Sequence, residues 1–276
     1  MLAALAVAAL IAAPAQAAPR HIVSLNPCLD AILLALADPG QIAALSHYSH
    51  DASQFAFAVQ ARRFPVTWGS AEEVVALAPD LVLSNGASAV DLTGVMSRLH
   101  VREADFGVPS SIDESLAQVR AIAALVGRPE RGAALEAQVR AALVAAAPRQ
   151  GEPRLAALVF EYHGLASGPG TLMDELMRRA GFDNLAPRYG LTQTGEAPLE
   201  ALIADPPQVL LSGRLAPNEP PWADRVLAHP ALRALAGRIR RETFPEPLMF
   251  CGGPTMIPAL AALTAARENA LRGVSR

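Results

Sequence analysis

The chain has 276 residues, of which 52% are hydrophobic and 18% are charged, enough for one large domain or for two lobes of roughly 100–150 residues each. The net charge of −3 argues against nucleic acid as a partner, because nucleic-acid-binding surfaces are strongly basic. All 23 basic residues are arginine, so P-loop and Schiff-base chemistry, which both need a lysine, are excluded.

The first residues have the pattern of an export signal. An unbroken apolar run covers residues 2–13, and Ala15 and Ala17 are the small residues that signal peptidase prefers before its cleavage site. We therefore expect a signal peptide over residues 1–17 and a mature periplasmic protein from Ala18. We expect no lipid anchor, because the residue directly after the cleavage site is not a cysteine. No basic residue precedes the run, and an uncleaved anchor or a buried helix are the alternatives.

Short apolar runs alternate with helical patterns from residue 21 to about residue 104. Strands are predicted at 21–25, 81–84 and 101–104, helices at 29–37 and 71–78 with the end of another at 96–99, and an apolar run at 42–45 before a polar loop at 47–53. Such alternation is typical of parallel βα units.

Two long helices are predicted in the middle of the chain. The first runs to Val126 and begins at a cap formed by Ser111 or Asp113. Gly127-Arg128-Pro129 ends it, and the proline suits the first turn of a second helix that continues to about Ala147. This second helix is rich in Ala, Leu, Arg and Glu, which are strong helix formers.

The alternating pattern then resumes. Strands are predicted at 155–161, 209–212 and 243–245, and helices at 171–180, 199–204, 226–235 and 257–271. The predicted fold class is therefore α/β, with two Rossmann-like lobes joined by one long helix and a ligand cleft between them. The predicted boundaries are 18–128 for the N-terminal lobe, 129–148 for the linking helix and 149–276 for the C-terminal lobe.

A set of segments in a fixed order resembles the class III periplasmic binding proteins of ABC importers, which bind iron siderophores, haem or vitamin B12. The matching segments, which together span residues 20–271, are RHIVSLNPCLD at 20–30, LLALA at 33–37, IAAL at 42–45, WGSAEEVVALAPDLVL at 68–83, SGPGT at 167–171, PLEAL at 198–202 and DPPQVLL at 205–211. This chain has Cys28-Leu29-Asp30 where many relatives carry Thr-Glu.

The resemblance implies a receptor without catalysis or a cofactor of its own. It implies a monomer that captures an iron or cobalt chelate and delivers it to the permease dimer in the inner membrane. One glutamate per lobe, Glu72 and Glu200, would dock on arginines of the permease, with Glu73 as an alternative to Glu72.

The resemblance also implies which loops line the cleft. The expected ligand-binding residues are Asn26, Cys28, His47, Tyr48, His50, Trp68, Asn85, Tyr162, His163, Arg214, Phe250 and Cys251. Histidine and tyrosine can ligate iron, aromatic rings can pack on a macrocycle, and arginine can meet an anionic chelate. The alternatives are a plain polar turn at 47–51, core packing for Trp68 and Trp222, and a surface position for Arg214.

The two cysteines leave three interpretations open. An exported pair favours a disulfide, but Cys28 and Cys251 fall in different predicted lobes, and both lie in loops that the resemblance turns toward the cleft. Two free thiols or a soft-metal site are the other two interpretations.

Two rival functions follow from the residues. A zinc- or manganese-binding protein would need several histidines and carboxylates, and the chain has six histidines. A periplasmic hydrolase is disfavoured, because no Gly-x-Ser-x-Gly surrounds Ser167 and no His-Glu-x-x-His is present.

Overall fold

The structure is a computed structural model that describes residues 18–86, 94, 96–161, 164–213, 229–230, 234–235 and 237–274. The predicted signal peptide, the ligand-binding candidates Tyr162, His163 and Arg214, Trp222 and most of the predicted helix at 226–235 lie outside these residues.

The N-terminal sheet is entirely parallel. Its strands are β1 (Ile22–Ser24), β2 (Ile42–Ser46), β3 (Val66–Thr67), β4 (Leu81–Ser84) and β5 (Arg102–Asp105), in the spatial order β3-β2-β1-β4-β5. The chain moves outward from β1 through β2 to β3 and then returns to the other side of β1 with β4. The loops after β1 and β4 therefore diverge, and such a switch point leaves a crevice at the carboxyl ends of the strands.

Helices α1 (Pro27–Leu36), α2 (Ala58–Ala61), α3 (Ala71–Ala76) and α4 (Ile112–Leu125) belong to this lobe. Three of them begin at a polar cap: Asn26 accepts from the backbone of α1, Ser70 from that of α3 and Ser111 from that of α4. The cap at Ser111 is the first of the two alternatives that the sequence offered.

A long helix, α5 (Pro129–Ala146), follows the lobe, with Pro129 in its first turn. Gly132 lets α5 approach α4, because a β-carbon there would lie 2.5 Å from that of Ala123. Arg128 and Arg131 both bond the carboxylate of Asp38, just beyond the end of α1. The first turn of α5 is therefore fixed to the N-terminal lobe.

The second sheet is mixed. Its strands are β6 (Leu155–Phe160), β7 (Leu165–Ala166), β8 (Phe182–Asn184), β9 (Gly195–Glu196), β10 (Val209–Ser212) and β11 (Arg240–Thr243). The path β11-β10-β6 is parallel, β8 also pairs with β6 in parallel, and β7 and β9 add two antiparallel steps. Helices α6 (Leu172–Arg179), α7 (Leu199–Ala204) and α8 (Met256–Val274) belong to the second lobe.

One hydrophobic cluster runs from α1 and α4 through α5 to α6 and α8, so the two lobes share part of their core. Arg267 of α8 is buried, and its guanidinium donates to the carbonyls of Ala146, at the end of α5, and Ala180, just after α6. These bonds hold the far end of the long helix to the C-terminal lobe.

The predicted fold class is confirmed: parallel α/β units lie on both sides of one long helix. The strand predicted at 243–245 instead occupies 240–243, because β11 is a polar edge strand that an apolar pattern does not reveal. The two-residue strands and β8 were not predicted, since they are too short for a periodic pattern. Within the described residues, no helix has both the length and the apolar character that crossing a membrane requires.

Candidate functional site

The candidate residues of the first lobe follow the carboxyl ends of parallel strands. Asn26 comes after β1, His47 after β2, Trp68 after β3 and Asn85 after β4. Because these ends share one edge of the sheet, the residues gather at the crevice that the strand order creates. Asn85 is half-buried, and the next residue, Gly86, donates its N–H to Asp105, the last residue of β5.

Three rings at this edge form what we call the aromatic wall, made of His47, Tyr48 and Trp68. The His47 ring stacks on Trp68 with centroids 4.0 Å apart and an interplanar angle of 16°, and it lies 3.8 Å from the Tyr48 ring. Trp68 is 73% exposed and Tyr48 is 41% exposed. None of the three side chains makes a hydrogen bond to another described residue. Core packing is therefore the wrong interpretation of Trp68, which is mostly exposed.

The wall has a buried acid beneath it. Asp30 of α1 accepts hydrogen bonds from the backbone N–H of Ser46 at 3.1 Å and from the hydroxyls of Ser46 and Ser49. These two serines bracket His47 and Tyr48 in the chain. Asp30 therefore fixes the turn that presents two of the three rings.

Burial raises the pKa of Asp30 from 3.8 to about 6, against the lowering effect of hydrogen bonds from Ser24, Ser46 and Ser49. Its Oδ1 atom is buried and has no hydrogen-bond partner among the described residues. An unpaired buried acceptor adds to the cost of the charged form.

His50 supports the same turn. Its Nε2 lies 3.2 Å from the carbonyl oxygen of Ala61 and 3.0 Å from that of Phe64, so this nitrogen carries a proton and donates. Nε2 is thereby occupied by the protein, unlike the ring nitrogens of His47. The ring ties the polar turn to the end of α2.

Cys28 and Cys251 form a disulfide, with their Cα atoms 4.9 Å apart. Both sulfurs are thereby bonded, which excludes the free-thiol and soft-metal interpretations. Asn26 is engaged as the cap of α1 through its Oδ1. The disulfide also brings Phe250, which is 50% exposed, to the beginning of α1 at the crevice.

The segment after Cys251 is seated tightly on the first lobe. Ser115 of α4 accepts the N–H of Gly253 at 2.7 Å, and a β-carbon on Gly252 would lie 2.2 Å from the same hydroxyl oxygen. Gly253 has a positive φ of 58° and lies against Ile32 of α1. Only glycine fits these two positions, and they explain why the chain has Cys-Gly-Gly here.

The second lobe places a buried carboxyl at the end of β6. Glu161 accepts a hydrogen bond from Ser167, and burial together with nearby Glu246 raises its pKa above the ordinary value. The next two residues, Tyr162 and His163, lie outside the described residues, as does Arg214 after β10.

The two docking candidates occupy matching positions. Glu72 and Glu200 are each the second residue of a six-residue helix, α3 or α7, and both are exposed. Each helix precedes a fully buried four-residue strand, β4 or β10, that pairs in parallel with the first strand of its lobe. Glu73 differs, because its carboxylate bonds Thr67 and the backbone of Trp68.

The sequence interpretation missed the roles of Asp30, Glu73 and Asp105. Asp105 accepts from Ser84 and Gly86 and so shapes the loop after β4. Its position directly after the strand predicted at 101–104 was a signal that the sequence did contain. In the parts of the chain that the structure describes, no three His, Cys, Asp or Glu side chains gather as a metal site.

Comparison with known proteins establishes the family. A family model described as periplasmic binding protein matches residues 22–238, and this chain belongs to that family. The family consists of binding proteins and implies a periplasmic location. A search of curated proteins finds no match.

Solved structures with the same fold include three whose described ligands are metal chelates. The periplasmic heme-binding protein RhuT from Roseiflexus sp. RS-1 in its apo form is 23% identical, with a TM-score of 0.72, and the match covers 90% of this chain and 99% of RhuT. A periplasmic heme-binding protein from Pseudomonas aeruginosa is 23% identical with a TM-score of 0.70, covering 90% and 92%. The vitamin B12-binding protein BtuF of Vibrio cholerae is 15% identical with a TM-score of 0.69, covering 92% and 98%.

Proposed function

We propose that this protein is the periplasmic substrate-binding protein of an ABC importer, that it captures a metal chelate, and that it delivers the chelate to the permease. The candidate cargoes are haem, cobalamin and an iron siderophore. The protein acts as a receptor and performs no chemistry on the cargo.

The aromatic wall is the observation that carries the proposal. Large rings that are exposed, stacked and free of hydrogen bonds to described residues contribute little to the core, but they suit a flat, apolar guest. Phe250 adds a further exposed ring near the same crevice. A guest that covers such surface gains about 25 cal/mol for each Å² of apolar area removed from water.

His47 gives the wall a further capacity. Its ring nitrogens have no hydrogen-bond partner among the described residues, and imidazole is a common axial ligand of haem iron. Two of the three similar structures described above are heme-binding proteins, which supports haem as the first cargo to test.

Delivery needs a defined orientation on the permease. Exposed Glu72 and Glu200 occupy equivalent places in the two lobes, so two carboxylates present themselves at well-separated points. Arginine–carboxylate pairs are directional, and two of them are enough to fix orientation. We assign docking to these residues and not to Glu73, whose carboxylate is already engaged.

The proposal is tested by titrating the purified mature protein with hemin, cyanocobalamin, a ferric hydroxamate siderophore, zinc chloride and manganese chloride, using absorbance and calorimetry. We expect one chelate to bind with a Kd below about 1 μM, equivalent to at least about 8 kcal/mol. Recovery of the chelate unchanged would agree with a receptor. Conversion of the chelate, or tighter binding of a plain metal salt, would overturn the proposal.

A further inference from the structure

The side chain of Glu73 turns back from α3 onto the loop that precedes this helix. Its Oε2 accepts the Thr67 hydroxyl at 2.7 Å and the backbone N–H of Trp68 at 2.7 Å. The N–H groups of Gly69 and Ser70 also lower the pKa of this carboxyl. One carboxylate therefore holds the whole loop between β3 and α3.

Two more bonds close the loop. Thr67 Oγ1 accepts the N–H of Gly69 at 3.0 Å, and the Ser70 hydroxyl accepts the N–H of Glu73 at 3.3 Å. Gly69 has a positive φ of 83°, which glycine adopts without strain. The hydroxyl of Thr67 contributes most to lowering the pKa of Glu73, followed by the N–H of Trp68, so the group is ionised at neutral pH.

The loop carries the outermost ring of the aromatic wall. Trp68 is 73% exposed, and its described ring contact is the stack on His47. An indole with so little packing around it takes its position from its backbone. That backbone is anchored by Glu73.

We infer that Glu73 is a positioning residue for the aromatic wall: by clamping the loop from Thr67 to Ser70, it holds Trp68 stacked on His47 in readiness for the guest. This inference rests on the proposed function. It assigns different roles to two neighbouring glutamates, Glu72 and Glu73. Both side chains are exposed, but Glu72 is left for the permease, whereas Glu73 bonds the loop that carries Trp68. A helix of six residues thus connects the docking point to the wall.

The position of Trp68 can be measured without any ligand. The chain has two tryptophans, so a Trp222→Phe background leaves Trp68 as the sole indole, and a chain that also carries Trp68→Phe supplies the blank. In this background we compare Glu73→Gln with Glu72→Gln, which is the same substitution one residue earlier at a site with no clamp. Steady-state emission, anisotropy and acrylamide quenching are recorded, with circular dichroism to verify folding.

We expect Glu73→Gln to lower Trp68 anisotropy and to raise its quenching constant about twofold, because the neutral amide weakens the bonds to the Thr67 hydroxyl and the Trp68 N–H. The Kd for the chelate identified above rises about fivefold, mainly through faster dissociation. Glu72→Gln changes none of these values. Thr67→Val, which keeps the charge but removes the hydroxyl, gives an intermediate effect and serves as the second variant should Glu73→Gln fold poorly.

If Glu73→Gln and Thr67→Val both leave Trp68 emission and quenching equal to those of Glu72→Gln, the positioning role is wrong. If no chelate binds the unsubstituted protein, the proposed function fails, while the fluorescence of the ligand-free variants still decides the role of Glu73.

Discussion

Cys28 and Cys251 are bonded to each other across a sequence separation of 223 residues. Cys28 lies in the first turn of α1, whereas Cys251 follows the second sheet and precedes α8. The bond therefore joins the first lobe to the segment that leads into the final helix, beside the exposed ring of Phe250. Near the crevice, the two lobes are linked by a covalent bond as well as by packing.

Loss of this disulfide should destabilise the protein strongly. A cross-link that closes so long a loop restricts the unfolded chain, and its removal costs about 3–5 kcal/mol. We expect the double variant Cys28→Ser/Cys251→Ser to show this loss in urea unfolding and to lower the Tm by about 2–4 °C for each kcal/mol.

Non-reducing mass spectrometry of the periplasmic protein is the accompanying control. Two alkylatable thiols in material that was never reduced would contradict the disulfide. Reductant should destabilise the unsubstituted protein and leave the double serine variant unchanged.

Asp30 predicts a specific dependence of stability on pH. Its pKa is about 6 in the folded protein and 3.8 in a solvated carboxyl, mainly because of burial. Between these values the folded state binds more protons than the unfolded state, so stability falls as pH rises from about 4 to about 6. The loss of folding stability that is due to the ionisation of Asp30 amounts to about 3 kcal/mol.

Asp30→Asn isolates the pH-dependent stability contributed by Asp30, because an amide has the shape of the neutral acid and does not ionise. We expect the unfolding free energy of the original protein minus that of the variant to decrease by about 2.5 kcal/mol between pH 4 and pH 7, measured by urea unfolding. Glu161→Gln is the comparison in the other lobe: burial also raises the pKa of Glu161, so we expect a pH dependence of the same sign there. A difference that stays constant with pH would refute the assignment to Asp30.

Trp68→Ala should weaken chelate binding without loss of stability. The ring is mostly exposed, so the free energy of unfolding should change by less than about 0.5 kcal/mol. Loss of a stacked aromatic contact should raise the Kd about tenfold or more. Val144→Ala on α5, an equally exposed apolar side chain, is the control and should change neither quantity. An unchanged Kd in Trp68→Ala would show that the aromatic wall is not part of the ligand site.

If Glu72 and Glu200 dock on the permease, substitutions in the two lobes should cause additive losses of permease-binding free energy. Glu72→Gln and Glu200→Gln should each weaken binding to the permease in proteoliposomes about tenfold at low salt, and the double variant should lose about a hundredfold. Higher ionic strength should reduce all of these differences. Chelate affinity stays constant throughout, and Glu130→Gln, at an exposed site of α5, has no effect. Equal docking by the double variant and by Glu130→Gln would exclude both glutamates.

The loops expected at the site came from the resemblance, and the sequence pattern alone supports only some of them. His47 and Asn85 each follow a predicted strand or apolar run, and parallel strands bring such positions to one edge. Trp68 follows β3, which is too short for a periodic pattern to reveal. The stack of His47 on Trp68 was not predictable, because it depends on the loop that Glu73 clamps. The clamp is invisible in the sequence, since Glu72 and Glu73 are the same residue type on the same short helix.

The pattern of apolar runs and helix caps by itself determined the α/β class, the long helix after Pro129 and the order of the units, since these depend on local periodicity and backbone chemistry. Contacts between residues far apart in the chain were decided only by the tertiary structure: the pairing of Cys28 with Cys251, the burial of Asp30 beneath Ser46 and Ser49, and the strand order that opens the crevice. The physical reason is that spacing along a sequence specifies which face of an element is apolar, whereas the partner of that face is selected by packing in three dimensions.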